Sequence, residues 1–206
     1  MSTSESRMAN RESGTAGEDR RHRLAVMLSG SGRTLVNLQK AIDEGRLQAK
    51  IVLVIASKEC LGAERARGLG LPTIVEPGVI PAEQLGALLK QYSAEWVALA
   101  GYLKLVKIPA GFEGRMVNIH PALLPKFGGP GMHGRRVHEA VIAAGETESG
   151  CTVHLCDEHF DSGDIVLQKR CPVLPGDTAD ALAARVFALE CEVYPEALRR
   201  LWAEGK

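Results

Sequence analysis

Leu24-Ala-Val-Met-Leu-Ser-Gly-Ser-Gly-Arg-Thr34 decides the fold. Its first five residues form a continuous apolar run, the length of a buried strand and too short for a helix. The run ends in a glycine-rich turn. Beyond the turn, residues 34–45 place Leu35, Leu38 and Ile42 close to helical spacing, with Gly45 as the stop. Strand, tight turn and helix together make the opening unit of an α/β sheet.

Outward from that unit the pattern repeats. The sequence predicts strands over residues 51–55, 72–75, 96–100 and 116–119, and helices over 61–69, 81–92 and 133–144. Pro81 sits at the favoured first position of its helix. Residues 151–156 and 165–173 read as two late strands that pair with each other, and 178–204 as a long helical region that Pro195 breaks or kinks. Strands apolar on both faces, alternating with helices, predict an α/β fold: a Rossmann-like, mostly parallel twisted sheet with helices on both faces and a mixed C-terminal part. Ligands in such sheets bind at the carboxyl ends of strands. That directs attention to the loops at residues 29–34, 101–106 and 118–133.

Composition sets the limits of this reading. The chain has 206 residues, 45% hydrophobic and 24% charged, as expected of an ordinary globular protein. A chain of this length buries roughly 70% of its unfolded surface and needs no disulfide staples. Residues 1–23 hold almost nothing to bury and are expected to be a disordered tail; residues 24–206 are expected to form a single domain. Lys and Arg number 25, as do Asp and Glu, and this neutral balance argues against a nucleic-acid partner. No apolar run approaches the ~20 residues of a membrane span, and no signal-peptide core is present, so a cytoplasmic location is expected. Five cysteines without tight spacing read as buried thiols. Five of the six histidines lie between His120 and His159, but no metal-ligand spacing occurs, and no metal is expected.

Three segments can carry chemistry. The turn Ser29-Gly-Ser-Gly-Arg-Thr34 opens a helix, so its free N–H groups can hold a phosphate-type anion, or it is only a tight turn. It lacks the third glycine of a dinucleotide fingerprint, and no Gly-Lys-Ser/Thr follows. In Asn118-Ile-His-Pro, alternation puts Asn118 and His120 on one strand face before Pro121 leaves the sheet. An amide N–H₂ and an imidazolium at a strand's end can hold an oxyanion, and an imidazole moves protons near neutral pH; a hydrogen-bonded structural pair is the alternative. In Phe160-Asp-Ser-Gly-Asp164, Asp161 either orients that histidine or caps a hairpin turn. His154, inside an apolar strand, and His138, mid-helix, read as structural residues. No Gly-x-Ser-x-Gly elbow or activated cysteine is apparent.

These segments appear in an order that resembles the phosphoribosylglycinamide formyltransferases, folate-dependent enzymes of purine synthesis. The likeness runs over residues 24–202. It is carried by Ser29-Gly-Ser-Gly32, Ala100-Gly-Tyr-Leu-Lys-Leu-Val106, Asn118-Ile-His-Pro-Ala-Leu-Leu-Pro125, Gly150-Cys-Thr-Val-His154 with Asp161, and Pro172-Val-Leu-Pro-Gly-Asp177. The resemblance implies formyl transfer from 10-formyltetrahydrofolate, as co-substrate, to the amine of glycinamide ribonucleotide, by a monomer or homodimer. By position it implies Asn118, His120 and Asp161 as the catalytic trio. Gly32, Arg33 and Thr34 match the phosphate loop, Glu190 matches a ribonucleotide contact, and His133 is the histidine expected to face substrate. Leu103, Lys104, Leu105 and Val106 match folate-binding segments, as do Asn118 and the loop Asp157, Glu158, His159, Phe160 and Asp161. Relatives that formylate methionyl-tRNA carry an extra C-terminal domain, and formyltetrahydrofolate hydrolases an N-terminal one. Hydrolysis of the folate, or formylation of another amine, stays open as an alternative. This chain departs from the family in three places. Its phosphate loop ends Gly32-Arg33-Thr34 rather than Gly-Ser-Asn. The loop Lys126-Phe-Gly-Gly-Pro-Gly-Met-His133 is longer than the familiar Pro-Gly-Leu-His form. Residues 76–83 are shorter, so no folate contact is carried over there.

Overall fold

The structure is a computed structural model describing residues 21–204. Residues 1–20 of the expected tail lie outside the described residues. The chain runs β1 (His22–Leu28), α1 (Arg33–Asp43), β2 (Ala49–Ala56), α2 (Leu61–Gly68), β3 (Thr73–Val75) and α3 (Ala82–Gln91). It continues β4 (Trp96–Leu99), β5 (Met116–His120), α4 (Arg135–Ala143), β6 (Glu148–Leu155), β7 (Ile165–Pro172) and α5 (Ala179–Ala203). Seven strands form one sheet in the order β3-β2-β1-β4-β5-β6-β7. The first five are parallel, while β5–β6 and β6–β7 are antiparallel. This is the mixed α/β sheet that the sequence predicts.

β1 shows why both faces need cover. Leu24, Val26 and Leu28 share a core with Leu35 and Leu38 of α1, Val141 of α4 and Leu182 and Val186 of α5. Ala25 and Met27 point the other way, into a core with Leu85 and Leu89 of α3. A strand buried on both sides has no room for polar alternation, hence the unbroken apolar run.

Three differences from the sequence reading have a tertiary reason. β1 begins at His22, because His22 pairs with Ala49 and its ring stacks on Trp202 at 4.3 Å. β6 begins at Glu148, where Glu148 registers against Pro172 of β7. α5 runs unbroken through Pro195. A proline cannot donate to the carbonyl four residues back. That carbonyl, on Cys191, instead accepts the side-chain amide of Asn37 at 3.0 Å.

α5 also fixes the middle of the sheet. The fully buried Tyr194 hydroxyl lies 2.8 Å from the Val117 carbonyl and 3.0 Å from that of Leu99, sharing its one hydrogen between β5 and β4. Among the described residues, no helix is long and apolar enough to cross a membrane. Tyr194→Phe removes the side-chain hydrogen bond that these two buried carbonyls share. Its expected cost is about 1–3 kcal/mol of unfolding free energy, read from denaturant melts; an unchanged midpoint would remove this anchor.

Candidate active site

β1 and β4 are sheet neighbours, but β1 continues towards β2 while β4 continues towards β5. The chain segments after them diverge and leave a crevice at the carboxyl ends, the usual ligand position in a doubly wound sheet. A cleft of about 850 Å³ opens there. Ser29 stitches its two walls together. Its hydroxyl accepts the Ser57 hydroxyl at 2.6 Å and the Leu103 N–H at 2.9 Å, and its own N–H donates to the Gly101 carbonyl at 3.0 Å.

One end of the cleft is the start of α1. Gly32 caps it at φ 72, and the cap makes no side-chain hydrogen bond. A Cβ on Gly32 would lie 2.6 Å from the Gly62 Cα, so the turn requires glycine for space as well as for φ. Gly32, Arg33 and Thr34 all line the cleft. No acidic residue occupies the first turn of α1, so the positive helix end faces the cleft uncompensated. The Arg33 guanidinium is held 4.3 Å above the Phe187 ring of α5. One turn along α5, Glu190 also lines the cleft. Burial pushes its carboxyl up to about 7, against the pull of Arg33.

The other end gathers the three predicted polar groups. Asn118 and His120 project from β5 on one face. Asp161 enters from the β6–β7 hairpin at φ 55. Its Oδ1 accepts Asn118 Nδ2 at 3.2 Å, and its Oδ2 accepts the Gly129 N–H at 2.9 Å and lies 3.4 Å from His120 Nδ1. The competing role of hairpin cap belongs to Asp157, which takes the His159 N–H at 2.8 Å and the Ser162 hydroxyl at 2.8 Å. His120 Nε2 lies 2.7 Å from the Phe127 carbonyl. A carbonyl only accepts, so Nε2 carries hydrogen and Nδ1 is the nitrogen that faces Asp161. Burial pushes His120 below its ordinary pKa, although Asp161 pulls the other way. Burial alone would raise Asp161; the groups around it, the Gly129 N–H and His120 among them, outweigh it and hold the carboxyl below its usual range. The cluster is thus an ionised carboxylate beside an imidazole that sheds its proton readily.

The cluster has a fourth member. His154, 2% exposed, stands opposite Asn118 in the β5–β6 register, with Nε2 3.1 Å from Asn118 Nδ2 and 3.6 Å from Asp161 Oδ1. The sequence reading set it aside as structural. Its signal was the alternation of Thr152 and His154 within an apolar strand, matching Asn118 and His120 on the neighbouring strand. His138 was set aside likewise. It is buried and lines the cleft, whereas His133 lines the cleft from an exposed position.

The segments expected to bind folate fall mostly on the cleft. Leu103, Lys104, Leu105, Val106, Asp157, His159 and Phe160 line it, with Leu103 and Phe160 exposed at its mouth. Glu158 does not: it is exposed at the tip of the hairpin, because Asp157 and Asp161 take the inward positions of that turn. Cys156 also lines the cleft, but burial raises its thiol far above neutral pH, and burial pushes Cys151 up to about 12. Neither can serve as a thiolate nucleophile. Among the described residues, no group of three or more His, Cys, Asp or Glu could hold a metal.

Fold and cleft define a doubly wound α/β protein with an open helix terminus at one end of its site and an Asn–His–Asp cluster at the other. Residues 22–198 match the formyl transferase family, and the chain belongs to that family. It is 42% identical over 195 residues to a chloroplastic phosphoribosylglycinamide formyltransferase of Vigna unguiculata, covering 90% of this chain and 62% of that one. It is 33% identical to the phosphoribosylglycinamide formyltransferase of Haemophilus influenzae, covering 89% and 88% of the two chains. A glycinamide ribonucleotide transformylase structure from Symbiobacterium toebii superimposes with TM-score 0.80 at 36% identity, covering 90% and 89%. The chain therefore spans less than two thirds of the Vigna protein and nearly all of the Haemophilus one.

The raised Glu190 pKa has a measurable sign. The folded state favours the neutral acid, so its contribution is present below the ordinary value of 4.5 and lost as pH rises through about 7. Glu190→Gln, which does not titrate, should gain stability relative to the unaltered protein between pH 4.5 and 7.5 in denaturant melts. A difference that stays flat with pH would contradict the burial of this carboxyl.

Proposed function

We propose that this chain transfers a formyl group from 10-formyltetrahydrofolate to the amine of glycinamide ribonucleotide, in purine synthesis. The observation carrying the proposal is the meeting of Asn118, His120 and Asp161 within 3.4 Å contacts at one end of a cleft whose other end is the open start of α1. The names of the relatives support the same reaction.

In this reading the substrate phosphate sits against Gly32, Arg33 and Thr34, and Glu190 and the rim residue His133 contact the ribonucleotide. Folate lies along Leu103, Lys104, Leu105 and Val106 and against the Asp157–Asp161 hairpin. The lone pair of the neutral amine attacks the formyl carbon, forming a C–N bond while the carbonyl electrons move onto oxygen. Once the C–N bond has formed, His120 Nδ1, beside Asp161, takes the proton that the amine loses, and the resulting positive charge steadies that oxygen; preorganised charge of this kind is worth about 3–4 kcal/mol. When the intermediate collapses, the bond from the formyl carbon to the folate nitrogen breaks. The proton lost by the amine ends on that nitrogen, carried by the His120–Asp161 pair. No side chain needs to become formylated. The reading further takes the protein to be a cytoplasmic monomer or homodimer with small-molecule substrates, no nucleic-acid partner and no metal.

Turnover with both substrates, compared with formate release in water alone, tests the reaction; formate without transfer would make the chain a formyltetrahydrofolate hydrolase. Asp161→Asn removes the charge that supports the imidazolium. Its expected effect is a kcat loss on the order of 10²–10⁴ with both KM values nearly kept. Near-normal kcat would leave Asp161 a turn residue.

A further inference from the structure

The orientation of the Asn118 carboxamide follows from its partners rather than from its outline. His154 Nδ1 lies 2.8 Å from the Leu155 carbonyl. That carbonyl can only accept, so a ring hydrogen is on Nδ1, and Nε2 is the nitrogen left to accept from Asn118. Nε2 and the Asp161 carboxylate flank one end of Asn118, at 3.1 and 3.2 Å. Both demand a donor. Turned over, the carboxamide would set its oxygen against two acceptors in a buried site, so both amide hydrogens are committed to the protein. The oxygen is left without a protein partner among the described residues, yet it is not buried, and Asn118 lines the cleft. The sequence reading gave Asn118 the opposite task, offering its N–H₂ to a developing oxyanion.

We infer that Asn118 meets the acceptor amine with its carboxamide oxygen, and that His154 is the positioning residue that keeps the carboxamide turned that way. The inference rests on the formyl-transfer reading and adds how the amine is aimed. An N–H of the amine donates to Asn118 Oδ1. That fixes the rotation of the amine and leaves its lone pair directed at the formyl carbon, so orientation is settled before bond formation. The amine gives up its proton only after the C–N bond forms, and the neighbouring Asp161–His120 pair takes it.

Two measurements test this. Histidine ¹⁵N resonances of the unaltered protein at neutral pH should show His154 protonated at Nδ1 and bare at Nε2. In steady-state assays with both substrates, His154→Leu should lower kcat at least 30-fold while both KM values stay within threefold. His154→Gln, whose amide oxygen can accept from Asn118, should recover at least tenfold of that loss. On an Asn118→Ala background, His154→Leu should cost less than threefold more, since the group it positions is gone. A proton on Nε2, a glutamine variant no better than the leucine one, or losses that multiply would each overturn the inference. Absence of transfer by the unaltered protein would instead refute the formyl-transfer reading, and the histidine resonances would still decide the orientation.

Discussion

The Asp161 carboxylate is the point on which the site depends. It is a mostly buried charge satisfied from three directions: a side-chain amide from β5, a backbone N–H from the loop after β5, and the edge of an imidazole. A buried charge stripped of one partner costs about 3–5 kcal/mol, so the carboxylate holds those segments in place as much as they hold it. The glycines nearby follow from that closeness. A Cβ on Gly128 would lie 3.1 Å from the Asp161 Cβ and 2.5 Å from a Leu124 methyl. Gly128 thus has a local cause: backbone must come within hydrogen-bond reach of an aspartate held at positive φ.

The parallel half of the sheet contributes something different. Where β1 and β4 part company there is a crevice with helix-terminal N–H groups on one side, and Ser29 prevents the two walls from sliding. The antiparallel half, β5 to β7, brings the titratable groups. The open start of α1 and the Asn118–His120–Asp161 cluster therefore belong to opposite sides of one seam. α5 spans both: Phe187 supports Arg33, Glu190 faces the cleft, and Tyr194 clamps β4 to β5 just below Asn118. The distance between the two ends is set by one continuous helix, and the Asn37 amide on the Cys191 carbonyl lets that helix continue through Pro195.

Much of this was legible in the chain. Apolar runs such as Leu24 to Leu28 and helical spacing after Gly32 determined strand, turn and helix, because burial on both faces and a left-handed glycine turn leave few alternatives. The same local logic put Asn118 and His120 on one strand face, and family likeness added Asp161. The alternation of Thr152 and His154 was too weak a signal to single out His154. A histidine in an apolar strand looks like any satisfied core polar group until the register of β5 against β6 places it opposite Asn118. Pro195 raises the same kind of problem, since the amide that takes up the freed Cys191 carbonyl lies 154 positions before Cys191.

The sequence by itself determined the elements, their order and which residue types could do chemistry, since those depend on spacing along one chain. Only the tertiary structure decided which end of the Asn118 carboxamide faces the cleft, which nitrogen of each histidine carries hydrogen, and that Asp157 rather than Asp161 caps the hairpin. Each of those is a choice between a donor and an acceptor, and it is made by whichever distant group folding brings within about 3 Å.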